Sequence, residues 1–179
     1  IQSYNKRKLF PCEEFLPFEN LLKKFDIKKI TEGYGSFLKG GDNNNLLLNN
    51  LRILPLICYE VIFTHLIQKS NIDTNLVVNI SEDGWFGKTI GPDQHFSKSI
   101  FRAIENGTFF IRSANKGVSA IIDNKGNIIK QLNRNEAGNL EFEVPLIKSN
   151  KIKNDLIFFV LLITYLLVFL FYRGKNAKK

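Results

Sequence analysis

The 179-residue chain contains no methionine, only two cysteines, two histidines and one tryptophan. Cys12 and Cys58 are too few for a disulfide framework, and no CxxC or Cys/His spacing predicts a zinc site. His65 and His95 stand apart and read as helix-surface residues or as supports behind a site, not as ligands. The missing methionine, even at Ile1, predicts a fragment or processed piece of a longer protein. No internal repeat is present, which leaves out solenoids and arrays. Charge is not scarce. The net charge of +8 suits anionic partners such as phospholipid headgroups or nucleic acid, although a plain compositional bias toward Lys, Asn, Ile and Phe is the better explanation. No basic motif interleaved with aromatics supports nucleic acid.

What is present centres on Leu51 to Glu60, L-R-I-L-P-L-I-C-Y-E. The apolar run is short and rich in Ile and Leu, which predicts a buried strand. Val61, Ile62, His65 and Leu66 follow at helical spacing, so Cys58 falls on a strand-to-helix turn. Backbone amides at a helix start favour a thiolate, and strand ends face the crevice of an open sheet. On the local pattern alone, a buried structural cysteine fits equally well.

Before this stretch, Pro11 and Pro17 predict a loop, and Lys6, Lys8, Glu13 and Glu14 read locally as a solvated charge run. Residues 19–30 predict a short amphipathic helix, and Asn43 to Asn50 an edge strand and turn. After it, Asn75 to Ser81 predicts a second buried strand. Glu82 to Gly87 form a loop holding Trp85 and Phe86, expected to pack both rings against something specific. Pro92-Asp93 opens a helix with Phe96, Ile100, Ala103 and Ile104 on one face, ended by Asn106-Gly107. Thr108 to Ser113 predicts a strand, and 118–122 with 127–132 a hairpin. Leu140, Phe142 and Val144 alternate with Glu141 and Glu143, predicting a half-exposed strand.

Leu156 to Tyr172 carries no charge and is apolar on every helical face. At 1.5 Å per residue it spans roughly 26 Å, which predicts a membrane-crossing helix at the short end of the range. Tyr172 is placed for the interface. Basic residues flank both ends, Lys148, Lys151 and Lys153 before and Arg173, Lys175, Lys178 and Lys179 after, so charge does not set the orientation.

Five blocks in order, Y-N-K-R-K-L-F-P-C-E-E-F-L-P, P-L-I-C-Y-E, N-I-S-E-D-G-W-F-G-K-T-I-G-P-D-Q-H-F, F-R-A-I-E-N-G and R-S-A-N-K-G-V-S-A-I-I-D, resemble the apolipoprotein N-acyltransferase family, the membrane branch of the nitrilase superfamily. The resemblance implies a nitrilase-type αββα sandwich, partial over residues 1–150, then a transmembrane helix at 156–172 and a basic tail at 173–179. It also implies a multi-pass inner-membrane protein of bacteria with its catalytic domain facing the periplasm. It carries the nucleophile onto Cys58, the catalytic lysine onto Lys6, and supporting carboxylates onto Glu14 and Glu60. The family's general-base glutamate lies upstream of the lysine and matches no residue of this chain. No metal or cofactor is implied. The implied partners are a phospholipid acyl donor and a diacylglyceryl apolipoprotein acceptor, with no nucleic acid.

The implied chemistry is ping-pong. Cys58 takes an acyl group from the phospholipid as a thioester, and the α-amine of the lipoprotein's N-terminal cysteine then receives it. A thiol is mostly protonated at neutral pH, so a base or a nearby cation must activate it, and Lys6 would also steady the oxyanion. Two rivals remain. One is a membrane-anchored amidase using the same Cys58 and Lys6 with water as acceptor, and the other a non-catalytic tethered domain of the same fold. Cys12 stands where the family has Phe, which leads to the expectation that it can pair with Cys58 in an oxidising periplasm and block it.

Overall fold

The computed structural model describes residues 2–11, 14–18, 24, 37–41, 45–68, 74–147 and 155–176, with side chains of the last helix described at 157–173. Six strands form one mixed sheet in chain order: β1 (Leu46–Leu48), β2 (Leu51–Ile57), β3 (Leu76–Glu82), β4 (Phe109–Asn115), β5 (Ser119–Ile122) and β6 (Ile128–Leu132). β2, β3 and β4 are parallel, and the three outer pairings are antiparallel. Parallel neighbours need a crossover, which α1 (Thr64–Gln68) and α2 (Gly91–Asn106) supply. The sheet is half of the expected sandwich, and no second sheet occurs among the described residues.

Strand alternation sorts the side chains. Leu54, Leu56, Val77, Phe110, Ala120 and Ile122 face the helices, where they meet Leu66, Ile67 and Ala103 in the main core. Pro55 interrupts no ladder on that side among the described residues, because it lies beyond those that pair with β1. The opposite face gathers Leu76, Phe109 and Ile121. Leu140, Val144 and Ile147 cover it, and Phe142 stacks on Phe109 at 5.9 Å. The strand expected at 140–144 is therefore absent. Its alternation is satisfied by laying every second side chain on the sheet face, with no ladder formed.

Two further expectations are corrected in part. Phe96, Ile100 and Ala103 of α2 pack against the core as expected, but Ile104 is exposed, and the buried positions of the helix also include the polar residues His95, Ser99, Arg102 and Asn106. Of these, Ser99 meets the Arg112 guanidinium of β4, and Asn106 donates to the Thr108 hydroxyl just before that strand. Trp85 is exposed, and of the two rings in its loop only Phe86 is packed, against His95 at 5.5 Å. α2 ends where expected, at Gly107, whose φ of 63° and N–H to the Ile104 carbonyl make a left-handed cap. The amphipathic helix expected at 19–30 lies outside the described residues, apart from Lys24.

Segment 156–172 falls within a helix, α3 (Asp155–Asn176). Every described side chain from Ile157 to Arg173 is exposed. Among the described residues no helix is long and apolar enough to cross a membrane. The stretch with described side chains spans about 26 Å, short of a hydrocarbon core of about 30 Å.

Candidate active site

β2 stops at Ile57, and Cys58 opens a 3-10 turn, Cys58–Ile62, with φ of 51°. A left-handed backbone at a non-glycine residue costs about 1–3 kcal/mol and persists only where its surroundings fix it. Two groups do so here. The Glu60 carboxylate accepts the Ile57 N–H at 2.9 Å. The Asn79 amide, from β3, donates to the carbonyls of Leu56 at 3.0 Å and Cys58 at 3.4 Å. Cys58 is a free thiol, half-buried.

Glu60 itself is fully buried. Its Oε1 accepts the backbone N–H groups of Arg7 at 2.5 Å and Lys8 at 3.0 Å, and its Oε2 accepts the Tyr4 hydroxyl at 3.0 Å. One carboxylate thus ties the segment carrying Lys6 to the turn carrying Cys58. Burial, and then the charge of Glu60, push the Tyr4 hydroxyl pKa far above its usual value, so Tyr4 stays a neutral donor.

Lys6 Nζ meets both oxygens of Glu14 at 2.7 Å. Glu14 Oε2 also accepts the Phe10 N–H at 2.7 Å, which closes the loop around the pair. Lys6 is held from the other side as well, because the Gly40 N–H donates to its carbonyl at 2.8 Å. A side chain at Gly40 would run into the Asn5 backbone at 2.7 Å, so this approach requires glycine.

Lys6, Glu14 and Cys58 line one cavity of about 420 Å³ together with Glu82. Its remaining walls are Phe10, Phe37, Ile57, Tyr59, Trp85 and Phe86. The parallel register of β2 and β3 brings the Cys58 turn and the Trp85 loop out at the same end of the sheet. Of the four residues singled out in the sequence, three face this cavity, and Glu60 lies behind it as the tie. Cys12 lies outside the described residues, so its pairing with Cys58 has no geometry here. No group of His, Cys, Asp or Glu suited to a metal occurs among the described residues.

Behind the Trp85 loop lies a buried polar network. The Arg112 guanidinium donates to Asp83 Oδ2 at 2.6 Å, to Asn79 Oδ1, and to the Val118 carbonyl at 3.2 Å. His95 Nδ1 stands 2.9 Å from Asp83 Oδ1, and the Ser81 hydroxyl donates to the same oxygen at 2.8 Å. Burial alone would raise the Asp83 pKa, but the His95 hydrogen bond and the Arg112 charge outweigh it and hold the carboxyl at about 2. A Cβ at Gly117 would collide with this carboxylate. Because Arg112 takes the Asn79 oxygen, the Asn79 amide nitrogen is left pointing at the Cys58 carbonyl. The network therefore sets both the Trp85 loop and the backbone of the Cys58 turn.

The carbon-nitrogen hydrolase family matches residues 1–153. The chain belongs to that family. Among carbon-nitrogen hydrolases of known structure, it superposes on a CN-hydrolase superfamily protein from Xanthomonas campestris with a TM-score of 0.53. That match has 20% identity and covers 76% of this chain and 49% of the other. A mutant of a Nesterenkonia amidase gives 0.51 at 18% identity, over 76% of this chain and 48% of that one. These likenesses show the fold. In sequence, the chain is 38% identical to the apolipoprotein N-acyltransferase of Rickettsia prowazekii (strain Madrid E), over 94% of this chain and 35% of that protein. It is 43% identical to the apolipoprotein N-acyltransferase of Rhodopseudomonas palustris, over 81% of this chain and 27% of that protein. The chain thus spans between about a quarter and a third of the length of these curated relatives.

Sequence reasoning missed Asn79, Asp83 and Arg112, and placed His95 only loosely. The signal was there. Arg112 sits two residues after Phe110 in F-F-I-R, and Asn79 two after Val77, so period-two alternation put both on the core side. A charged residue on a buried strand face implies a buried partner.

Proposed function

We propose that this carbon-nitrogen hydrolase domain performs acyl transfer in an apolipoprotein N-acyltransferase. It would move an acyl chain from a phospholipid to the α-amine of a diacylglyceryl-cysteine lipoprotein. One observation carries the reading: Cys58 sits on a strained strand-end turn in the same cavity as the Lys6–Glu14 pair. The identity to apolipoprotein N-acyltransferases over most of the chain favours this reading over the amidase and non-catalytic alternatives.

In this reading Cys58 is the nucleophile. Its sulfur attacks the ester carbonyl carbon of the donor, the C–O bond breaks, and the lysophospholipid leaves with a proton. Lys6, held in place by Glu14, stabilises the thiolate and then the oxyanion. Glu60 acts only through position, by holding Lys6 and Cys58 at a fixed separation. The acceptor amine then attacks the thioester, forming the C–N bond and releasing the Cys58 sulfur. The proton-accepting base is assigned to no residue of this chain.

The domain division is part of the proposal, with residues 1–150 as the catalytic unit and 156–172 as the core of a membrane anchor. Two features of α3 support the anchor. It exposes apolar side chains on every side. Its one polar side chain between Ile157 and Phe171 apart from Tyr165, that of Thr164, returns its hydroxyl to the Val160 carbonyl at 2.8 Å, as a hydrocarbon environment requires. The proposed setting is the bacterial inner membrane, with the cavity facing the periplasm.

The test is product analysis. The protein in its full reading frame, in membranes, is given labelled phospholipid and a diacylglyceryl-cysteinyl peptide. Label on the peptide amine, lost with Cys58→Ala, is the expected result. Free fatty acid alone would replace this reading with the amidase one.

A further inference from the structure

Resting on the acyl-transfer reading, we infer that Glu82 is the subsite that receives the acceptor's amine in its ammonium form. Glu82 ends β3 and faces the Cys58 cavity. Its carboxylate is fixed from behind: Oε1 accepts the Gly84 N–H at 2.8 Å, and Oε2 accepts the Asn115 side-chain amide at 2.6 Å. These bonds hold the group without neutralising it. No ion pair reaches Glu82 among the described residues, and the exposed Lys116, whose stem passes beside Gly84, forms none with it.

The cavity's charges make the case. Lys6 is taken by both oxygens of Glu14, so that pair is neutral as a unit. With Cys58 as thiol or thioester, Glu82 leaves the described lining residues one negative charge in excess, among aromatic walls that include Trp85, Phe86 and Tyr59. A carboxylate beside aromatic faces is the surrounding that recognises an alkylammonium group. An α-amine has a pKa near 8, so the acceptor arrives mostly as ammonium at neutral pH. The acyl donor's ester carries no such charge at its reacting end. Glu82 therefore acts on the second half-reaction and not the first. No bond-making step is assigned to it, since it positions the nitrogen that will attack.

The experiment separates the halves in the full-length protein in membranes, with wild type, Glu82→Gln and Glu82→Asp. Thioester on Cys58 is measured before acceptor is added. It is then discharged either with hydroxylamine, which is neutral at pH 7, or with a diacylglyceryl-cysteinyl peptide bearing a free amine. We expect Glu82→Gln to form thioester at the wild-type rate and to discharge to hydroxylamine equally. Its KM for the peptide should rise about ten- to a hundred-fold, the size expected for loss of a charge-assisted contact, with Glu82→Asp in between. Thioester formation in each variant also reports folding. An unchanged peptide KM in a thioester-forming Glu82→Gln overturns this inference alone. A parallel fall in thioester formation does so too, since it makes Glu82 a brace for the loop. A wild type that forms no thioester overturns the acyl-transfer reading and this inference with it.

Discussion

Replacing Glu60 with glutamine changes one atom and is expected to loosen the site from behind. Four donors converge on the carboxylate: the N–H groups of Ile57, Arg7 and Lys8, and the Tyr4 hydroxyl. An ionised carboxylate only accepts, and it has lone pairs for all four. Glutamine keeps one accepting oxygen, and its NH2 would face the other two donors. Each buried donor left unmatched costs about 1–3 kcal/mol, so Glu60→Gln should destabilise by about 2–6 kcal/mol. Part of that loss is local. The Arg7 and Lys8 amides are the anchor of the Lys6 segment, so releasing them moves Lys6 away from Cys58. The assay is thermal unfolding of the purified protein in detergent, paired with the rate of Cys58 alkylation. A lower midpoint, together with a changed alkylation rate, is expected. Tyr4→Phe removes one donor to Glu60 and also the hydroxyl that accepts the Arg7 Nε–H at 3.0 Å, so it should cost about 1–3 kcal/mol. A Glu60→Gln protein within about 0.5 kcal/mol of wild type, with an unchanged alkylation rate, would refute the reasoning.

Other outcomes follow from the same geometry. Asp83→Asn leaves the buried Arg112 charge without its partner and should destabilise by about 3–5 kcal/mol in chemical denaturation. The Asp83 pKa is held at about 2 in the fold against 3.8 ordinarily, so its contribution is complete above about pH 4 and is lost as pH falls toward 2. Unfolding midpoints at pH 5 and pH 2.5 should differ less in Asp83→Asn than in wild type. Cys58→Gly relieves the φ of 51° and should raise stability by up to about 1 kcal/mol while abolishing acyl transfer, and a less stable variant would contradict the strain. Lys6→Met should slow thioester formation by about 10²–10³-fold with little effect on the unfolding midpoint, because its ion pair with Glu14 is partly exposed.

Much of this site was legible in the sequence because its chemistry is local. The strand ending at Ile57 is an apolar run, and the turn after it follows from where the run stops. The carry-over to Lys6 and Glu14 rested on motif spacing, and their pairing at 2.7 Å requires a loop whose closure no periodicity encodes. The buried network was harder to see. Asn79, Asp83, His95 and Arg112 come from two strands, a loop and a helix, and each looks ordinary beside its neighbours. Only the assumption that a buried charge needs a partner would have joined them. The error at 140–144 has a similar origin. Alternation reports that one side is buried, and a segment laid flat on a sheet satisfies it as well as a paired strand does. Glu82 was passed over because a carboxylate at a strand end reads as solvated until the cavity beside it is known.

The most direct test of the central claim is the mass of the Cys58 peptide. Membranes carrying the full-length protein, with a Cys58→Ala control, are supplied with phospholipid and no acceptor, then digested and analysed before and after hydroxylamine. A hydroxylamine-labile acyl group on the Cys58 peptide, absent from the control, is the predicted result. A folded protein whose Cys58 alkylates freely but never carries acyl would contradict the proposal that this cysteine is the acyl-transfer nucleophile.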